Sequence, residues 1–129
     1  MFKAFVATSI ALAALAAPAF AQDAASPDGV WKDKWGTTFT FSTCGDAGTQ
    51  LCGVLNDVQG NSRTEENLAF INQQVVSADQ TAPGKWEGQI ALNGGNAKAI
   101  VEVKDANTLT ITGCQGGILC QTLTYNKVS

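Results

Sequence analysis

TTFTFSTCGDAGTQLCGV, residues 37–54, decides the fold. Phe39 and Phe41 alternate with Thr38, Thr40 and Ser42, the period of a strand with one buried face. Gly45, Asp46, Ala47, Gly48 and Thr49 then make a turn, and Gln50 to Leu55 returns as a second strand. Cys44 and Cys52 stand at the two rims of that turn, so the segment reads as a stapled β-hairpin. A shorter echo closes the sequence. There TGCQGGILCQTL, residues 112–123, sets Cys114 and Cys120 about a second glycine-rich turn.

Outward from the hairpin, Val30 to Lys34 is a preceding strand centred on Trp31, led into the next by Trp35-Gly36. After Leu55 the pattern lapses into a long polar loop, Asn56 to Asn67. Leu68 to Ile71 then fits either one helical turn behind Thr64 as N-cap or a direct lead into a strand at Gln73 to Val76. Ser77 to Gly84 reads as a second connection, with Pro83-Gly84 as its turn. Lys85 to Leu92 places Trp86, Gly88, Ile90 and Leu92 on one face, and Ala97 to Lys104 does the same with Ala97, Ala99, Val101 and Val103. Asn93-Gly94-Gly95-Asn96 joins them, since Asn and Gly tolerate the positive φ of a tight hairpin turn. Asp105-Ala106-Asn107 turns into Thr108 to Thr112, and the last strand runs from Cys120 to Lys127.

No segment holds a helical period. The expected fold is therefore all-β: about eight short antiparallel strands in sequence order, closed into a small up-and-down β-barrel, with a β-sandwich as the alternative.

The first residues carry a different message. Lys3, an apolar run from Ala4 to Ala17, and Ala19 and Ala21 as a small-x-small site read as a secretory signal peptide cleaved before Gln22. The apolar run is short of the roughly 20 residues that a membrane-spanning helix needs. The expected organisation is a signal peptide over 1–21, a flexible mature N-terminus over 22–28 and one barrel domain over 29–129. Periplasmic or secreted placement follows, with no membrane-spanning segment after cleavage.

Four cysteines in an exported chain favour disulfides and allow three pairings. The local pairs, Cys44 with Cys52 and Cys114 with Cys120, are preferred because each faces its partner across a hairpin. Zinc is the weaker reading, with no histidine in the chain and neither pair in C-x₂₋₄-C spacing. The net charge of −3, made more negative by loss of Lys3, excludes a nucleic-acid binder, which needs clustered Lys and Arg.

In their order and spacing, Gly29-Val30-Trp31, Cys44-Gly45 followed by Leu51-Cys52-Gly53, Trp86-Glu87-Gly88-Gln89-Ile90, and Leu109 through Gly113-Cys114 to Leu119-Cys120 resemble domain-of-unknown-function family 2147. These are small exported bacterial proteins built on a lipocalin-like barrel, and the resemblance covers Gly29 to Val128. The chain departs from the family pattern at Asn61-Ser62-Arg63, at Asn93-Gly94-Gly95 and at Tyr125-Asn126-Lys127. Similarity to lipocalin-like barrels implies a structural role for Trp31, packed under the basic Lys127 by cation–π contact to close the barrel floor.

The usual nucleophilic and acid/base motifs are missing, and the expectation is a non-enzymatic protein without a cofactor or metal. Asp33, Asp57, Glu65, Glu66 and Glu87 are the carboxylates available for glycoside-type pairing, with Glu65 and Glu66 better read as solvated surface. The first functional expectation is a monomeric protein-interaction module of the cell envelope, inhibitor-like, whose partner is an exported or envelope protein. Its binding residues are Gly45, Asp46 and Thr49 of one stapled turn and Gln115, Ile118 and Leu119 of the other, or the loop Gln59 to Asn67. The alternative is a carrier for a small apolar ligand, limited by Phe39, Phe41 and Trp86 as bulky occupants of a narrow barrel. An internal cavity of several hundred Å³ separates the two readings.

Overall fold

The computed structural model describes residues 25–92, 95–115 and 119–129. The signal-peptide reading, Asn93-Gly94 and Ile118 lie outside the described residues. Eight antiparallel strands follow in chain order: β1 (Gly29–Lys32), β2 (Thr38–Cys44), β3 (Gln50–Asp57), β4 (Gln74–Ala82), β5 (Lys85–Leu92), β6 (Gly95–Asp105), β7 (Thr108–Gln115) and β8 (Leu119–Lys127). Each pairs with the next, and β1 pairs with β8, which closes the barrel. The closing seam is short. It rests on the register pairs Trp31 with Lys127 and Lys32 with Asn126. Closure leaves no exposed sheet edge, the risk an open meander would carry.

Three expectations need correction. Ser77 to Gly84 is not a connection, because β4 continues to Ala82 and pairs with β5 from Val76 to Ala82. Its inward residue there is only Ala78, too small to announce a strand, while backbone pairing to β3 and β5 holds it extended. The polar loop is shorter than expected, since Asn56 and Asp57 belong to β3, and a 3₁₀ turn (Gly60–Ser62) and a helical turn α1 (Glu65–Leu68) lie within the connection. Of the two alternatives after Thr64 the helical turn is the one formed, one turn earlier than Leu68 to Ile71: Thr64 Oγ1 caps Glu65–Leu68 by accepting from the Asn67 N–H at 3.1 Å, residues 69–72 follow as turn, and the strand starts at Gln74. Finally, Gly95 and Asn96 are paired with Leu92 and Ala91, so the β5–β6 joint is tighter than four residues.

Because every strand reverses, the connections alternate between two ends. One end holds the β2–β3 turn (45–49), the β4–β5 and β6–β7 turns, and the segments before β1 and after β8. The other holds the β1–β2 turn (33–37), the β3–β4 connection with α1, and the β5–β6 and β7–β8 hairpins.

The first end is filled. Phe39 and Phe41 stack with ring centroids 5.4 Å apart, and Trp31, Leu51 and Trp86 are buried beside them. The Trp86 indole N–H donates to the Thr49 carbonyl at 2.9 Å, tying β5 to the stapled turn. Trp31 donates to the Pro27 carbonyl at 2.9 Å, and Lys127 Nζ stands 5.7 Å from the Trp31 ring centroid, within cation–π reach. The backbone of Val30 bonds Ser129 and Val128 across the same floor.

Both cysteine pairs are local disulfides, with sequence separations of 8 and 6. In the loop-closure picture each restrains the unfolded chain by roughly 2 to 2.5 kcal/mol. Their placement differs. Cys44 opposes Gln50 and Cys52 opposes Ser42, so the first bridge is diagonal, with a Cα separation of 6.0 Å. Cys114 directly opposes Cys120, at 4.0 Å. The first bridge braces the filled end and the second the opposite rim.

Candidate functional site

At the second end the barrel is hollow. A cavity of about 680 Å³ opens between the β1–β2 turn, the α1 connection and the β5–β6 and β7–β8 hairpins. Its apolar wall comes from inward positions of β5 to β8, chiefly Ile90, Leu92, Ala97, Ile111 and Leu123. Gly113 explains much of the room, because a Cβ built there would meet no atom within 4 Å. The bulky residues expected to occupy the barrel do so, at the other end only.

The polar wall is built by the β1–β2 turn. The chain alternates inward at Trp31 and again at Asp33, and Asp33 then folds over its own turn. Its Oδ1 accepts from the backbone N–H groups of Trp35 and Thr37, both at 2.9 Å, while Asp33 N–H donates to the Thr37 carbonyl at 3.0 Å. Thr37 Oγ1 bonds Ser62 Oγ at 2.6 Å, and Asn67 Nδ2 donates to the Ser62 carbonyl at 2.8 Å, which docks the α1 connection onto the same wall. Asp33 Oδ2 is the exception. It is buried, on a residue only 6 % exposed, and no donor stands in hydrogen-bond geometry to it.

The neighbour facing Asp33 is Tyr125. Extending the β1–β8 register by one residue from Lys32 and Asn126 sets the two opposite each other. Burial first, then the Asp33 charge and the hydrogen-bonding interaction with it, holds the Tyr125 phenol protonated well above the usual tyrosine range. The contact remains short of a full hydrogen bond to Oδ2 by geometry. The Tyr125 ring is fixed by an edge contact with Phe39 at 5.6 Å. Among the described residues on the cavity wall, Asp33 is the only one with a charged side chain.

The expected binding residues do not form one surface. Gly45, Asp46 and Thr49 are exposed at the filled end, whereas Gln115, Leu119 and the Gln59 to Asn67 segment surround the cavity mouth at the other. Leu119 is 74 % exposed on that rim. Of the carboxylates considered from sequence, Asp33 alone reaches the cavity. Glu87 is on the outer face between Lys85 at 3.9 Å and Lys98 at 3.7 Å, Asp57 accepts from Gln59, and Glu65 and Glu66 are exposed on α1. Thr37, Gly113 and Tyr125 were missed as wall residues, while Asn67 fell within the loop considered for binding. Asp33 had a signal, a charged residue at the inward parity set by Trp31.

Among the described residues there is no cluster of three or more potential metal ligands, and no helix is long and apolar enough to cross a membrane. No protein-family model, no curated protein and no solved structure matches this chain.

Proposed function

We propose that this protein is a non-enzymatic binder of a small, largely apolar molecule, taken into the barrel through its open end. The observation that carries the reading is the cavity of about 680 Å³, a size typical of small-ligand sites. An eight-stranded barrel has room for one small ligand when its own side chains do not use the space, and here a cavity remains at one end. Export to an oxidising compartment belongs to the same proposal, supported by two disulfides and the leader-like first residues. Membership of family 2147 is likewise part of it, supported by the order of the motifs.

The test uses Gly113→Trp, which puts an indole into space that a Cβ enters freely. Wild-type protein recovered from its own envelope and sprayed natively should carry a ligand mass that the folded variant lacks. Bare wild-type protein, with no small molecule taken up on soaking, would sink the proposal. A second reading, the inhibitor-like interaction module, is favoured by Leu119, an exposed leucine on the rim. It predicts one exported partner whose capture Leu119→Asp abolishes and Gly113→Trp spares.

A further inference from the structure

We infer that the corner where Asp33 meets Tyr125 selects a ligand with a protonated amine ahead of its apolar body; this rests on the cavity reading above.

Polar groups sealed inside a protein are almost always paired, and each exception asks for a reason. On this wall Thr37 and Asn67 are paired, and Asp33 Oδ1 takes two backbone N–H groups. Oδ2 of the same carboxylate has none. The wall also lacks any cationic side chain among the described residues, so no counter-charge faces Asp33 where the cavity begins. In an interior of low dielectric such a charge acts over several ångströms and favours an opposite charge brought in from outside.

Oδ2 is sealed from solvent, and Tyr125 supplies the route to it. Its phenol lines the cavity and is held protonated, so its oxygen accepts from an incoming ammonium while its own proton turns to Oδ2. The result is a chain of charge-assisted bonds, ammonium to phenol to carboxylate, which completes the contact that geometry leaves short. A neutral alcohol makes the first bond without the charge. A carboxylate meets Asp33 as a like charge and is rejected.

The experiment compares octylamine, octan-1-ol and octanoate, three probes with the same tail and different heads, by calorimetry and by the change in tryptophan emission, to which Trp35 at the cavity mouth contributes beside the buried Trp31 and Trp86. In the wild type octylamine should bind about tenfold tighter than octan-1-ol, and octanoate more weakly than either. Asp33→Asn, which keeps an oxygen for the two turn N–H groups, should erase the advantage of the amine and admit octanoate. That gain of binding cannot come from a merely damaged fold. Equal affinities for the three heads in the wild type overturn the amine inference and leave the cavity reading in place. An amine preference that survives Asp33→Asn overturns it too, and no uptake of any probe overturns both. Should Asp33→Asn fail to fold, the wild-type order of the three probes still decides.

Discussion

Each end of this barrel carries one disulfide-braced hairpin, yet one end is solid and the other hollow. At the filled end a disulfide braces the turn 45–49, and Trp31, Phe39, Phe41, Leu51 and Trp86 are buried in the interior. At the open end a disulfide braces the β7–β8 hairpin, and the inward positions are Gly113, Ala97 and the aliphatic Ile90, Leu92, Ile111 and Leu123, which line the cavity. A staple therefore says nothing about what lies behind it. The difference is one of side-chain volume, and it separates the part of the molecule that holds it together from the part free to receive a ligand.

The largest effect that tests this contrast is expected from Trp31→Ala. Loss of a fully buried indole, with its bond to Pro27 and its contact with Lys127, should cost about 3 to 5 kcal/mol. Leu119→Ser on the open rim should stay within about 0.5 kcal/mol. Urea melts of the two variants read this directly, and similar losses would mean that the ends do not differ in the way proposed.

A finer comparison uses two glycines at inward positions. A Cβ on Gly53 would lie 2.5 Å from Phe41 Cε1 and 2.9 Å from Val76 Cβ, so Gly53→Ala should destabilise by about 1 to 3 kcal/mol through overpacking. Gly113→Ala meets open space on a strand and should range from neutral to about 1 kcal/mol stabilising. The sign of the difference is the measurement, and the reverse order would place the free volume at the wrong end.

The smallest effect lies on the wall between the two. Tyr125 is the only tyrosine in the chain, so phenolate absorbance reports it alone. Its folded pKa is raised above the unfolded value of about 10, so its contribution to stability is complete below that pH and lost as pH rises above it. The absorbance change should coincide with unfolding. A phenolate signal centred near pH 10 with the near-ultraviolet dichroism intact would show the wall to be open to solvent.

Much of the fold was legible because its signals are local. Alternation marked β2, β5 and β6, and the cysteine spacing marked two hairpins and their bridges. β4 was read short because its inner face narrows to Ala78, and a strand held by its neighbours rather than its own side chains leaves little pattern. At the site, the parity of Trp31 and Asp33 was visible. The approach of Tyr125, nearly the whole chain away, was not. The hydrogen bonds that bring Asn67 and Ser62 to the same wall were equally hidden.

By itself the sequence determined the class, the strand order and the two staples, since turns, alternation and short disulfide loops involve residues close along the chain. What the chain pattern left open, and the folded barrel settles, is that one end is filled while the other is hollow, and that a carboxylate oxygen is left without a donor at the cavity wall. Each of these depends on volumes and polar groups summed across the barrel from strands far apart in sequence, a sum that no local pattern contains.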